Sequence, residues 1–246
     1  MHIQKEGMQM ANSKNLSSAV SEKDKTDNQT FKKVPFAVSE AYKSIRTNLI
    51  SVLHKQNSKT AVISSPNASE GKSTTSINIA ISLSQINKKV ILIDADVHRP
   101  SIHTKLKMKN DDGIMNILNG VSTFDEAVCR YNSRLDVLTT GPIPQNATEI
   151  FSDPSFDRLL EELNEKYDYI ILDTPPVNLL SDSLVIAQKC GGIAFVVRAG
   201  ITTHEALRRA VASAKQLDIK ILGLILNGSD YSKSYYQKKY YSSYDN

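Results

Sequence analysis

Short, uninterrupted runs of Val, Ile and Leu recur along the chain, and amphipathic segments lie between them. Such runs are typical of strands covered on both faces, whereas half-exposed strands alternate apolar and polar residues. They predict strands over 60–64, 90–94, 135–139, 169–173, 193–198 and 221–226. The intervening segments carry apolar residues three and four apart, which predicts helices over 73–86, 155–166, 182–189 and 203–217.

This alternation of strands and helices predicts βαβ units, whose strands are parallel. The expected fold class is therefore α/β, with a doubly wound, mostly parallel sheet flanked by helices. Ligands of such sheets bind at the carboxyl ends of the strands. Chemically active residues are expected at that edge.

The two ends of the chain lack this periodicity. Residues 1–35 are polar and are predicted to be a disordered tail, because they bury too little apolar surface to offset the entropy of ordering. A helix is predicted after Ser39, a favourable N-cap, because Tyr42, Ile45 and Leu49 are spaced three and four apart. The domain is expected to span 36–228, and 229–246 to be a flexible tail.

Composition excludes several classes of function. The 246 residues include 30 basic and 26 acidic ones, which gives a formal charge of +4 without a basic block, so charge does not support nucleic-acid binding. The strongest apolar run, 221–226, is far shorter than the roughly 18 residues of a membrane span. The polar N-terminus does not resemble a signal peptide. Cys129 and Cys190 have no neighbouring metal-ligand residues, which favours a reduced, cytosolic protein.

A phosphate-binding loop is predicted between the first strand and the next helix, where Gly71-Lys72-Ser73 occurs. Backbone N–H groups at a helix start face an anion, the lysine reaches the β- and γ-phosphates, and the serine hydroxyl can bind Mg²⁺. The full pattern has glycine where this chain has Pro66. The placement between strand and helix therefore supports the prediction more than the tripeptide does.

Three carboxylates follow predicted strands. Asp94 and Asp96 come at the end of the second strand, and Asp173 ends the run Tyr169-Ile170-Ile171-Leu172, as in a Walker B element. Carboxylates beside phosphates are the usual environment of Mg²⁺ in enzymes. The alternative for a strand-terminal aspartate is to cap the following helix.

Six of the ten tyrosines lie in the last sixteen residues, which have no core-forming period. They are Tyr231, Tyr235, Tyr236, Tyr240, Tyr241 and Tyr244. On composition alone this segment is equally compatible with a low-complexity, solvated tail.

Together these features resemble the bacterial tyrosine autokinases of capsule and exopolysaccharide synthesis, members of the deviant P-loop ATPase group. The resemblance covers about 36–246. It rests on the phosphate loop, Ile93-Asp94-Ala95-Asp96, Leu172-Asp173-Thr174-Pro175-Pro176, Gly141-Pro142-Ile143-Pro144 and the tyrosine-rich tail. It implies a P-loop NTPase-like fold and an ATP- and Mg²⁺-dependent, non-specific protein-tyrosine kinase that phosphorylates its own tail in trans.

The resemblance also implies roles for individual residues. The implied catalytic residues are Lys72, Asp94, Asp96 and Asp173, and the implied metal ligands are Ser73, Asp94 and Asp96. The implied cofactor-binding residues are Ser69, Glu70, Gly71, Lys72, Ser73, Thr74 and Asn227. The six tail tyrosines are the implied autophosphorylation sites, and Glu40, Lys43 and Arg46 are the implied subunit contacts of a homo-oligomeric ring.

The resemblance implies partners as well: a separate transmembrane activator that regulates chain length in polysaccharide export, and a cognate tyrosine phosphatase. The expected location is cytoplasmic, at the inner face of the cell membrane through that activator. No nucleic-acid partner is expected.

Departures from the family pattern concern the loop. Ala68-Ser69 replaces the family's Pro-Gly, so Ser69 is strained if its φ is positive. His98 stands where the family has arginine, although Arg99 follows it.

Two other functions remain open from the sequence. A ParA/MinD-like positioning ATPase shares this fold, but its signature lysine falls at Asn67 here, and the chain does not close with a basic amphipathic helix. A weakly catalytic, nucleotide-sensing scaffold, phosphorylated by another kinase, is the second alternative.

Overall fold

The computed structural model describes residues 36–143 and 150–229. The predicted N-terminal tail, all six tail tyrosines and Pro144 of the Gly-Pro-Ile-Pro loop lie outside the described residues. No helix in the described ranges is both long and apolar enough to cross a membrane.

The described residues contain one seven-stranded sheet in the order β3-β4-β2-β5-β1-β6-β7. All neighbouring strands are parallel except β3 and β4, which confirms the predicted mostly parallel sheet. The strands are β1 (Thr60–Ser64), β2 (Val90–Asp94), β3 (Cys129–Arg130), β4 (Leu135–Leu138), β5 (Tyr169–Asp173), β6 (Ile193–Arg198) and β7 (Ile221–Asn227).

Helices cover both faces of the sheet. They are α1 (Phe36–Lys55), α2 (Lys72–Ser84), α3 (Ile102–Leu106), α4 (Ile114–Leu118), α5 (Phe124–Ala127), α6 (Pro154–Lys166), α7 (Asp182–Gln188) and α8 (His204–Gln216). Helix α2 contacts the central strands, and α1 packs on α2. A continuous apolar core joins residues of α4 to α8 to the strands.

The long elements begin and end close to their predicted positions, but two expectations were wrong or incomplete. Helix α1 already includes Phe36, so Ser39 is not its N-cap. The intervening Ala37 and Val38 contain no glycine or proline to end it. The short α3, α4, α5 and β3 were not predicted, because four or five residues are too few to display a period.

Candidate nucleotide and phosphoryl-transfer site

The phosphate loop connects β1 to α2. Gly71 is the N-cap of α2 and has φ 96°, a left-handed conformation that favours glycine. A Cβ atom at Gly71 would also overlap the side-chain amide of Asn227. The glycine of the predicted tripeptide is therefore required both by its backbone angle and by its neighbour.

Lys72 begins α2 and lies among carboxylates. Its Nζ is 2.6 Å from Asp96 Oδ2, 3.6 Å from Asp173 Oδ2 and 3.2 Å from the Ser73 hydroxyl. Burial alone would lower the pKa of the ammonium, but Asp173 and Asp96 outweigh it and raise that pKa. Lys72 is thus held cationic at the place where a polyphosphate would be bound.

Asp94 and Asp173 are buried below this lysine and are paired in register on adjacent strands. Asp94 Oδ2 accepts the backbone N–H groups of Ser101 and Ile102, each at 3.0 Å, where α3 begins. The capping geometry of the alternative interpretation is therefore present. Asp173 Oδ1 accepts the Ser76 hydroxyl at 3.0 Å, while its buried Oδ2 has no hydrogen-bond partner.

A cavity of about 330 Å³ opens in front of the loop. Asp96 is the one of the three predicted carboxylates that lines it, together with Ser73. The remaining lining residues are Ala68, Ser69, Gly71, Lys72, Thr74, His98, Arg99, Ser101, Lys105, Pro176, Leu179 and Leu180. One wall is thus cationic and polar, and the other is apolar.

The donor set fits magnesium carried by a nucleotide rather than a metal held by protein alone. Among the described residues, no group of three or more His, Cys, Asp or Glu side chains could hold a metal ion. Mg²⁺ bound with a nucleotide needs only one or two carboxylates, because phosphates and water complete its shell. The Ser73 hydroxyl, Asp96 and the orphaned Oδ2 of Asp173 supply such oxygens.

Two residues that sequence reasoning missed support the loop where glycines are absent. Ser69 has φ 62°, the strained geometry anticipated for serine here, and its carbonyl accepts Arg198 Nη1 at 3.1 Å. The buried Glu70 carboxylate accepts the Asn67 backbone N–H at 2.9 Å and the Thr202 hydroxyl at 2.7 Å. Arg198 and Thr202 lie about 130 positions away in the sequence, so no local signal connects them to the loop.

Other predicted residues have partners within the chain. Asn227 Nδ2 donates to the Glu70 carbonyl at 2.9 Å. In α1, Lys43 pairs with Glu40 at 2.6 Å, and Arg46 donates to the Ser82 carbonyl of α2 at 2.8 Å. Adenine contact by Asn227 and subunit contact by the α1 residues stay predictions.

His98, which replaces the family's arginine, lines the cavity beside Arg99. Its Nε2 is 2.9 Å from Oδ2 of the buried Asp182 at the start of α7. This contact fixes the ring between the loop after β2 and α7, so the substitution has changed the local partner as well as the charge.

Comparisons with known proteins identify the family. A family model described as "ParA: NUBPL iron-transfer P-loop NTPase" matches residues 56–243. Tyrosine-protein kinase YwqD of Bacillus subtilis is 37% identical over 209 residues, which cover 85% of this chain and 88% of YwqD. The chain belongs to the bacterial tyrosine-protein kinases, within the ParA-like P-loop NTPases.

Two further similarities support the family assignment of this kinase. Tyrosine-protein kinase CpsD of Streptococcus agalactiae is 36% identical over 190 residues, which cover 76% of this chain and 82% of CpsD. The kinase domain of the Escherichia coli tyrosine kinase ETK superposes with a TM-score of 0.75 at 29% identity, covering 80% of this chain and 78% of that domain. The predicted fold and tyrosine-kinase activity are confirmed, and the positioning-ATPase alternative shares only the family model.

The buried Asp94 predicts an unusual pH dependence of stability. Burial, and then the neighbouring Asp173, raise the pKa of Asp94 from 3.8 to about 7. The folded state therefore binds this proton more tightly than the unfolded state, so the contribution to stability is complete below pH 3.8 and is lost as the pH rises through 7. The substitution Asp94→Asn keeps an acceptor for the α3 amides and avoids the buried charge.

We expect nucleotide-free Asp94→Asn to exceed the wild type in free energy of unfolding at pH 8 by up to a few kcal/mol, since one pKa unit is worth about 1.4 kcal/mol. Urea unfolding at pH 4 and pH 8 measures this, and the gap should narrow at pH 4. The exposed Asp111→Asn is the matched control and should show no such change. A variant less stable than the wild type at pH 8 would contradict the prediction.

Proposed function

We propose that this kinase transfers the γ-phosphate of ATP, bound with Mg²⁺, to the tail tyrosines of a neighbouring copy, and thereby regulates the synthesis and export of a capsular or extracellular polysaccharide. The contact between Asn227 and the Glu70 carbonyl carries the proposal. Because β7 ends against the phosphate loop, the segment that contains the six tail tyrosines starts beside the cavity. Seventeen residues beyond Ser229 can extend to about 55–60 Å, enough to reach another copy.

The other four tyrosines are poor acceptors. Tyr167 and Tyr169 are buried, and Tyr167 donates its hydroxyl to Asp136 at 2.7 Å. Tyr42 and Tyr131 are half-buried. Burial raises the pKa of the phenols of Tyr42, Tyr167 and Tyr169, which makes them still weaker nucleophiles. The tail is therefore the favoured source of acceptors.

Phosphoryl transfer needs mainly positioning and countercharge. Lys72 and the amides at the start of α2 face the phosphates, Thr74 supports the α-phosphate, and Ser73 and Asp96 hold the metal, with Asp94 and Asp173 fixing their surroundings. Bound Mg²⁺ would neutralise charge on the β- and γ-phosphates. A carboxylate with a pKa near 4 is about six units below a phenol, so Asp96 aligns the hydroxyl and accepts its proton late.

The opposite wall of the cavity suits the acceptor ring. Pro176, Leu179 and Leu180 present apolar surface across from Lys72 and Ser73. A phenol seated there would bury its ring while its hydroxyl faced the polar wall. This combination favours tyrosine over serine as the acceptor.

Assembly and regulation follow the family pattern in this proposal. A separate transmembrane activator would recruit the kinase to the inner face of the membrane, a cognate phosphatase would reverse the reaction, and α1 would contribute to a ring of copies. The similarity to YwqD and CpsD supports these assignments.

A mixing experiment tests transfer between copies. A tagged Lys72→Met chain with its tail intact is incubated, with ATP and Mg²⁺, with an active chain whose six tail tyrosines are phenylalanine. Phosphotyrosine should appear on the tagged chain, and chelation of Mg²⁺ should abolish it. Label on the wild type alone but not on the tagged chain would overturn transfer in trans, and an unlabelled wild type in the presence of its activator would overturn the proposed function.

A further inference from the structure

The sheet edge opposite the nucleotide cavity carries a line of cations. Each parallel strand is preceded by one residue at this edge, and four of these six residues are Lys or Arg. In the order β4, β2, β5, β1, β6, β7 they are Arg134, Lys89, Asp168, Lys59, Gly192 and Lys220. Since adjacent strands lie about 4.8 Å apart, the line spans about 24 Å.

The pairing of these cations leaves several of them available. Lys59 Nζ donates to two carbonyls at the end of α6, at 2.7 and 3.2 Å, and Asp168 lies 3.9 Å from Lys88. Lys89 and Lys220 are exposed and form no ion pair in the part of the chain that the structure describes. A cavity of about 520 Å³ on this edge is lined by Lys59, Lys189 and Lys220 and by no acidic residue.

Apolar side chains stand among the cations. Ile86, just after α2, and Leu217, just after α8, are 40% and 42% exposed. Both helices end at this edge, because their partners in the sheet are parallel strands. Exposed aliphatic groups within a basic surface are characteristic of membrane-interface segments, and they offer nothing to a nucleic acid. Among the described residues, the edge also offers no exposed aromatic side chain for base stacking, because Tyr167 and Tyr169 are buried.

We propose that this edge, defined by Arg134, Lys89, Lys59 and Lys220, docks directly on an anionic lipid bilayer. The cations attract the negative headgroups, while Ile86 and Leu217 reach the interface. In this orientation the cavity faces away from the bilayer, and the tail leaves β7 on the side where other copies are accessible. The docking requires no protein partner and is separate from the phosphoryl transfer proposed above.

Vesicle binding by the full chain tests the proposal. Equimolar phosphatidylglycerol and phosphatidylcholine vesicles are compared with pure phosphatidylcholine vesicles in a co-sedimentation assay at low salt. The pair Lys89→Glu and Lys220→Glu should lower the apparent affinity for anionic vesicles by about tenfold or more, because each cation near the surface contributes substantially. The milder pair Lys89→Gln and Lys220→Gln should give a smaller loss.

The matched control is Lys109→Glu with Arg209→Glu, which changes the charge equally at exposed sites away from this edge. It should bind within about twofold of the wild type, and high salt should release all bound protein. Thermal unfolding should be alike for both reversed pairs. Equal loss by both pairs, equal binding to neutral vesicles, no binding by the wild type, or preference for duplex DNA over anionic vesicles would each overturn the proposal.

Discussion

Replacing Lys72 with methionine should lower the rate of phosphoryl transfer by about 10²–10³-fold, the usual cost of losing one preorganised group that stabilises charge in a transition state. Methionine keeps an unbranched apolar stem of similar length, so the start of α2 should persist. What it removes is the cation now held 2.6 Å from Asp96 and 3.6 Å from Asp173. Initial rates of phosphotyrosine formation at saturating ATP measure the effect.

The same substitution has a structural consequence. Lys72 compensates buried carboxylates in the nucleotide-free chain, so its loss should favour their protonation and make stability fall more steeply as the pH rises. Lys109→Met, at an exposed site outside the cavity, controls for loss of a lysine and should retain wild-type rates. Equal phosphotyrosine in Lys72→Met and the wild type would remove the basis for assigning catalysis to this loop.

Sequence reasoning located the chemistry because active residues adjoin strands. The Val/Ile/Leu runs predicted the strands, and parallel pairing then brings Asp94 opposite Asp173, beside the loop that follows β1. Parallel order also placed the end of β7 at the same edge. These features depend on local patterns and on one general rule of topology.

The division of roles between Asp94 and Asp96 could not be predicted in the same way. It depends on α3, a five-residue helix without a readable period, whose first amides take Asp94 Oδ2. Asp96 is left to line the cavity and pair with Lys72. The clasp of Glu70 by Thr202 is likewise invisible locally, because the two residues are 132 positions apart.

The loop shows how a missing glycine is accommodated. Left-handed geometry at a non-glycine residue costs about 1–2 kcal/mol. The bonds that Arg198 and Asn227 make to the carbonyls of Ser69 and Glu70 hold the loop in that geometry. The strain at Ser69 is therefore offset from the ends of β6 and β7, which ties the loop to the strand that releases the tail.

Changing all six tail tyrosines to phenylalanine should reduce autophosphorylation to about a tenth of the wild-type level or less, because phosphorylating a buried phenol elsewhere would require local opening of the domain. Tyr167 and Tyr169 are buried within the domain, and Tyr42 and Tyr131 are half-buried. Mass spectrometry of the ATP-treated chain locates the phosphotyrosines and measures their amount.

Binding of a fluorescent ATP analogue separates loss of acceptors from loss of the site. It should be unchanged in the six-phenylalanine chain, because the cavity is lined by residues no later than Leu180. Tyr131→Phe is the matched control within the domain and should keep the full signal. Since phenylalanine preserves the ring, an undiminished signal in the six-phenylalanine chain would place the acceptors inside the domain and make the Asn227 contact with the loop irrelevant to substrate delivery.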